Sequence, residues 1–250
     1  MNPATAARRD LGGYYALVAY SFRNFRALAI APVRLVFLRQ VYYTGIEAFA
    51  IISLIALLSG ALLITQIISL MGANSELALR TLVWVVVREL GPLFAAILII
   101  ARSSPAIAAE LALMKTHQEI AHLRDMGIAA EDYLVVPRIY GVTLSLMALT
   151  FYFQVIAILG GMGFSSAYQQ VSFIELLGNF IEVVNPYALV VSVLKSFFFG
   201  LAIATISCFH GLAVEQAITE VPKAAIKAVM RSLLAVFAID AVFAYISLAF

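Results

Sequence analysis

Charged residues are scarce in this chain. Asp, Glu, Lys and Arg make up 12% of its 250 residues, whereas soluble domains carry about 25%. Apolar residues account for 64%, and the mean hydropathy is +1.01. This composition excludes a soluble globular protein, and the excess of apolar side chains excludes a disordered chain. We therefore expect an integral membrane protein.

Cysteine is nearly absent too, with Cys208 the one example. A single thiol excludes a disulfide framework and a cysteine-based zinc or iron–sulfur site. His117 and His122 are five residues apart and do not share a helix face, so no histidine is predicted to bind a metal. The sequence contains no Gly-x-x-x-x-Gly-Lys-Ser/Thr motif, which excludes a P-loop for nucleotide phosphates. A formal charge of +2 gives no indication of a nucleic-acid partner.

Five apolar stretches are long enough to cross a bilayer as helices. Each is near or above the roughly 20 residues that span about 30 Å of hydrocarbon. Their apolar runs are continuous and do not alternate, which excludes a β-barrel. The sequence thus predicts an all-α membrane protein that forms one domain over residues 1–250. The predicted spans are residues 46–71, 82–101, 139–164, 186–212 and 232–250.

The segment before the first span mixes apolar and basic residues. Residues 1–10 lack the apolar core of a cleavable signal peptide, so the N-terminus is expected to be retained. The composition of residues 14–40 predicts an amphipathic helix in the membrane interface, broken at Pro32. A cytoplasmic tail without membrane contact is the alternative.

Lysine and arginine are distributed unequally between the two sides of the membrane. The N-terminal segment carries six, the loop at 102–138 carries four and the stretch before the fifth span carries three, whereas the opposite side carries only Arg80. Because short cytoplasmic loops are rich in these residues, the N-terminus and the 102–138 loop are predicted to be cytoplasmic. Phe250 is then predicted to lie outside.

Four charged residues fall in the interior of the predicted spans: Arg88, Glu89, Lys195 and Asp240. Each costs about 2.5–3.5 kcal/mol at the membrane centre unless it is paired or hydrated. Counting residues from the span ends places Lys195 and Asp240 at similar depth, which predicts an ion pair between the fourth and fifth spans. These charges either lock the helices together or contact headgroups or ions in a water-filled cavity.

The second span contains the sequence Arg88-Glu89-Leu90-Gly91-Pro92. Pro92 donates no backbone hydrogen bond, which predicts a kink beside the charges. Arg88 and Glu89 are neighbours that point about 100° apart, so each is expected to find its partner elsewhere.

The long cytoplasmic connection has helix signals at both ends. Ser104 is a candidate cap, Pro105 suits the first helical position and Gly127 suits a terminator. These residues predict a partly polar helix at 104–126. It either lies on lipid without further function or docks a cytoplasmic partner.

Several of these segments together closely resemble the MlaE/YrbE permease family, whose members are membrane subunits of ABC systems. Those systems move phospholipids between the two membranes of Gram-negative bacteria and maintain the lipid asymmetry of the outer membrane. The resemblance covers essentially the whole chain. It is most specific at Arg88-Glu89-Leu90-Gly91-Pro92, Ala108-Ala109-Glu110-Leu111 and Tyr133-Leu134-Val135-Val136-Pro137-Arg138.

The resemblance implies a homodimer of five-span subunits in the bacterial inner membrane. The 104–126 helix would be a coupling helix on a separate ABC ATPase, which binds the ATP and Mg, so this chain would be non-catalytic and hold no cofactor. An MCE-domain protein would act on the periplasmic side. In some systems a small STAS-domain protein also binds the ATPase.

The resemblance also assigns roles to individual residues. Where the family commonly has Glu-Gln in the coupling helix, this chain has Gln118-Glu119, and Ala129-Ala130 replace a frequent Asp-Pro. The substrate-binding or intramembrane polar residues implied are Arg39, Gln66, Arg88, Glu89, Lys195 and Asp240. The ATPase-coupling residues implied are Glu110, Met114, Gln118, Glu119, Leu123 and Arg124.

Two other functions remain alternatives. A secondary transporter would use Lys195 and Asp240 as an ion relay, although the odd number of spans and the lack of an internal repeat speak against it. A structural membrane scaffold for an outer domain is the third interpretation.

Overall fold

The computed structural model of the chain describes residues 3–71, 75–169, 186–215 and 217–249, together with Gly178 and Val183. Within these ranges the chain is helical and contains no strand. The α-helices are α1 (Pro3–Arg23), α2 (Ala31–Thr44), α3 (Phe49–Met71), α4 (Ser75–Val85), α5 (Gly91–Thr116), α6 (Glu119–Asp125), α7 (Val136–Gln169), α8 (Pro186–Leu212) and α9 (Val221–Ala249). Most of the connection between the third and fourth predicted spans, residues 165–185, lies outside the described residues.

Five helical stretches in the described chain are long and apolar enough to cross a membrane. They overlap the five predicted spans, so the prediction of an all-α membrane protein is confirmed. The stretches are Ala31–Leu70, Leu77–Thr116, Glu131–Ala167, Pro186–Leu212 and Ile218–Ile246.

The N-terminal segment forms two helices. A short 3-10 turn, Phe25–Ala29, separates α1 from α2. Pro32, where the break was predicted, instead lies in the first turn of α2, because the amide that proline lacks has no intrahelical partner at that position. The interfacial location of residues 14–40 stays a prediction.

The predicted start of the cytoplasmic helix at Ser104 is wrong. Helix α5 runs from Gly91 to Thr116 with Pro105 inside it. Ser104 does not cap because it is fully buried, and its hydroxyl lies 2.8 Å from that of Ser207 on α8. Packing of α5 against α8 therefore overrides the local cap signal.

The predicted helix at 104–126 is not continuous, because it is interrupted at the junction of α5 and α6. Gln118 adopts a left-handed conformation with a φ of 60°, so the chain turns before the short helix α6 begins at Glu119. Gly127 has a φ of 76°, and its amide donates to the carbonyl of Arg124 at 2.9 Å. The predicted role of Gly127 as the helix terminator is thus confirmed.

Helix α7 occupies the centre of the bundle and packs against α2, α3, α5 and α8. It approaches α3 closely at Gly60, where a Cβ atom would lie 1.9 Å from the carbonyl oxygen of Ala157. Small residues at such crossings allow the backbones to touch, which matters in lipid because no hydrophobic effect draws helices together.

We predict that Gly60→Ala destabilises the protein by about 1–3 kcal/mol, because α3 must move away from α7 to accept the methyl group. Unfolding of the purified protein in detergent measures the change. Gly163→Ala is the matched control, since that α7 position is exposed and has open space around a Cβ atom. Equal stability of the two variants would contradict the close contact.

Candidate functional site

The predicted distortion before Pro92 takes the form of a π-helical turn, Val86–Leu90. The amide of Gly91 donates to the carbonyl of Val86, five residues back, and Pro92 has no amide proton to donate. The carbonyls of Val87 and Arg88 therefore lose the partners that a regular α-helix would provide. A carbonyl left without a donor inside a membrane costs several kcal/mol.

Side chains of two neighbouring helices satisfy these carbonyls. Gln154 on α7 donates from Nε2 to the carbonyl of Val87 at 3.2 Å. Lys195 on α8 donates from Nζ to the carbonyl of Arg88 at 3.4 Å. The π-helical turn thus explains why a buried amide and a buried ammonium group are present at this depth.

Lys195 is also the centre of an ion-pair cluster. Its Nζ lies 2.6 Å from Oε2 of Glu89 and 2.5 Å from Oδ1 of Asp240 on α9. The second contact is an ion pair by distance but lacks hydrogen-bond geometry. The predicted pairing of Lys195 with Asp240 is confirmed, and Glu89 joins it from the adjacent helix.

Arg88 completes the cluster on its more exposed side. Its Nε lies 3.9 Å from Oε1 of Glu89. The expectation that each residue finds its partner elsewhere is confirmed for Glu89, which pairs with Lys195. It is wrong for Arg88 and Glu89 with each other, because these neighbours also form an ion pair. The guanidinium also lies over the Trp84 ring, 5.3 Å from its centroid, which is the distance of a cation–π contact.

The cluster is electrically balanced and buried on one side only. It contains two cations and two anions. The side chain of Lys195 is 2% exposed, whereas those of Arg88 and Glu89 are 27% and 30% exposed. A ligand that reaches this site therefore meets Arg88 and Glu89 first, with Lys195 behind them. In the described part of the chain, no group of three or more His, Cys, Asp or Glu side chains is arranged to hold a metal ion.

Two residues predicted for this site lie elsewhere. Arg39 is exposed on α2 and Gln66 is exposed near the end of α3. Neither forms a side-chain hydrogen bond or ion pair with the cluster among the described residues. A substrate role for these two stays a prediction.

The six predicted coupling residues divide into exposed and packed ones. Gln118 and Glu119 are exposed at the junction of α5 and α6, and Arg124 is exposed while it pairs with Glu131 at 2.6 Å. Met114 and Leu123 are partly buried and pack against the core.

Glu110, the sixth of these residues, lies on the helix before that junction. Its Oε1 forms an ion pair with Nη2 of Arg138 at 2.9 Å, and the Arg138 side chain is 4% exposed. This pair joins α5 to the start of α7.

Gln154 and Ser192 are two polar residues of this site that were not predicted from the sequence. Both are buried, and Gln154 donates to the Ser192 hydroxyl at 2.5 Å. A count of uncharged polar residues inside the spans would have found them, because an amide in an apolar span needs a hydrogen-bond partner as a charge does.

We predict that Lys195→Met lowers the free energy of unfolding by about 3–5 kcal/mol, because it leaves the Glu89 and Asp240 carboxylates without their buried cation. Adding Asp240→Asn removes one negative charge and should recover part of the loss. Unfolding in detergent measures both. Arg124→Met, which breaks an exposed pair, is the control and should change stability by about 1 kcal/mol or less. A Lys195→Met protein as stable as this control would contradict the buried cluster.

Comparison with known proteins agrees with the resemblance in the sequence. A probable ABC transporter permease of Rickettsia typhi is 27% identical over 228 residues, covering 88% of this chain and 85% of that protein. The intermembrane phospholipid transport system permease protein MlaE of Haemophilus influenzae is 28% identical over 207 residues, covering 81% and 78%. A probable ABC transporter permease of Synechocystis is 33% identical over 153 residues, covering 60% and 57%.

The family comparison covers both the charge cluster and the α5–α6 junction. Residues 37–246 match the family described as Permease MlaE, which is far more than half of the chain. Together with the five spans, this match indicates a multi-pass inner-membrane subunit of the ABC type without catalysis of its own. The chain belongs to the MlaE permease family.

Proposed function

We propose that this chain is the permease subunit of an ABC system that moves phospholipids between the inner and outer membranes and so maintains outer-membrane lipid asymmetry. A separate ATPase chain, which binds ATP and Mg, drives the movement. The observation that carries the proposal is the half-open charge cluster within the membrane, in a chain of the permease family. The name of the Haemophilus influenzae relative supports phospholipid as the substrate.

The geometry of the cluster suits an amphipathic anion. A lipid phosphate that approaches from the open side meets the Arg88 guanidinium, which offers a fork of donors to phosphate oxygens. It then competes with Glu89 for Lys195. Because Asp240 still pairs with Lys195, the ammonium group keeps one anion as Glu89 is displaced. The cluster thus provides a site that a headgroup enters by exchanging one ion pair for another.

The surface for the ATPase lies on and around α6. Gln118, Glu119 and Arg124 are exposed there, with Met126 beside them 67% exposed. Such a mixed apolar and charged surface suits a protein partner.

Helix α5 connects this surface to the charge cluster. It is a single helix of 26 residues, about 39 Å long, that begins two residues after Glu89 and ends at the junction with α6. A displacement of α6 by the ATPase is therefore transmitted along α5 to Glu89.

The proposal includes the assembly and the orientation in the membrane. The N-terminus and α6 face the cytoplasm, and the C-terminus faces the periplasm, where an MCE-domain protein exchanges lipid. Two copies form a homodimer, and the largely exposed helix α9 provides apolar surface for a neighbour. A STAS-domain protein is a further candidate partner on the ATPase.

A secondary transporter remains the second candidate, because a buried Lys195 pairs with Asp240 within the spans, as a proton relay would require. The two functions differ in their energy source. We predict that proteoliposomes move phospholipid only when the chain is assembled with its ATPase and supplied with ATP. Fluorescent-lipid transfer measures the movement. Transfer driven by an ion gradient through the chain alone would favour the relay and overturn the ABC mechanism.

We predict that Glu119→Lys lowers lipid-dependent ATP hydrolysis by about tenfold, because a reversed charge at a docking surface weakens association. Phosphate release from the reconstituted complex measures the effect. Glu215→Lys is the matched control, since it reverses an exposed charge in the connection between α8 and α9. Equal activity of the two variants would place the ATPase elsewhere.

A further inference from the structure

A second polar site lies at the other end of α5. It is a cavity of about 270 Å³ between α2, the short turn Ile46–Ala48 and α5. This volume is at the low end for ligand pockets, so it suits a headgroup rather than a whole lipid. Its polar lining residues are Gln40, Tyr43, Thr44, Glu47, Arg102, Ser103 and Glu110.

The cavity is distinct from the intramembrane cluster. Arg102 follows Glu89 by thirteen residues, which is about 20 Å along a helix. No hydrogen bond or ion pair among the described residues joins the two groups. The cavity lies toward the end of the bundle that holds α2 and the α5–α6 junction, whereas the cluster lies mid-span.

Both signs of charge face the cavity. Glu47 forms an ion pair with Arg102. Glu110 forms an ion pair with Arg138, whose side chain is buried behind it. The lining therefore presents two carboxylates and one guanidinium. Nη1 of Arg102 has no hydrogen-bond partner among the described residues, so this guanidinium has donor capacity that its pairing with Glu47 does not use.

Exposed aromatic and apolar side chains surround the cavity. Tyr42, Tyr43, Ile46 and Phe49 are 37–56% exposed and lie next to Glu47 in the chain. Tyrosines are typical of the membrane–water interface. The occupant that this surface suits has a polar head for the cavity and an apolar tail for the adjoining lipid-facing surface.

We propose that this cavity binds the headgroup of a phospholipid with a primary ammonium group, phosphatidylethanolamine. The ammonium lies between Glu47 and Glu110, and the phosphate accepts from Arg102, whose guanidinium turns to use Nη1. The role of the cavity rests on the proposed function. It is a loading or delivery site for the transported lipid in the leaflet on the side of α2.

The charged groups that line the cavity select among headgroups. A primary ammonium donates three hydrogen bonds, which two carboxylates can accept. A choline group donates none and is typically held in an aromatic cage, whereas Tyr43 alone among the described residues adds an aromatic ring to the lining of this cavity. An anionic glycerol headgroup is disfavoured because two carboxylates face it. The site therefore discriminates for ethanolamine by charge and hydrogen bonding together.

Native mass spectrometry of the purified full-length chain, without an ATPase, tests the site. The probes are phosphatidylethanolamine, phosphatidylcholine and phosphatidylglycerol, each added to delipidated protein. Glu47→Gln is expected to weaken phosphatidylethanolamine binding by about tenfold, because a charge-assisted hydrogen bond is lost. Binding of phosphatidylglycerol is expected to be unchanged or stronger.

Glu131→Gln is the matched control. It makes the same chemical change in another exposed ion pair, that of Glu131 with Arg124, and is expected to leave all three lipids bound as before. Glu110→Gln is the second test variant should Glu47→Gln not fold, and the same loss is expected for it. Equal weakening of all three lipids, or no change in either test variant, would overturn the proposal.

A further arm identifies the source of the binding. Soluble glycerophosphoethanolamine is expected to compete poorly, and competition equal to that of the lipid would mean that the cavity takes the free headgroup. Because these measurements contain no ATPase, a failed transport assay with intact selective binding would overturn the proposed function and not this site.

Discussion

Lipid offers no hydrogen-bond partner to a backbone carbonyl, and the site in this protein follows from that constraint. Pro92 and the π-helical turn before it leave the carbonyls of Val87 and Arg88 without their helical donors. Gln154 and Lys195 satisfy them. A buried ammonium group in turn needs anions, which Glu89 and Asp240 supply from two other helices. The irregular turn before Pro92 is thus in contact with polar residues that are linked across four spans.

The helix that follows this irregular turn connects the charge cluster to the α5–α6 junction. Helix α5 begins beside the charge cluster, passes the Glu47–Arg102 pair and ends at the surface formed with α6. The irregular turn Val86–Leu90 directly precedes its first residue, Gly91, so Glu89 lies at the end of the helix opposite α6.

Individual residues show how far the sequence predicts the site. The Lys195–Asp240 pair was predictable because counting from the ends of two apolar spans places both residues at one depth. The approach of Glu89 was not, since depth does not specify how each helix is rotated about its axis. Ser104 and Pro105 carry a convincing local start signal, yet α5 continues through them because Ser104 packs against Ser207. Gln154 was overlooked because an uncharged amide barely alters the hydropathy of its span.

The sequence by itself determined that this is an all-α membrane protein with five spans, since those features depend on composition and on the length of apolar runs. It also determined where the second span is irregular, because proline lacks an amide proton wherever it is placed. Only the tertiary structure decided which side chains satisfy that irregularity and which polar residues line the cavity at Glu47. Those outcomes depend on how helices distant in the chain are rotated and how closely they approach, as at Gly60 and Ala157. Packing between helices, not local sequence, sets both.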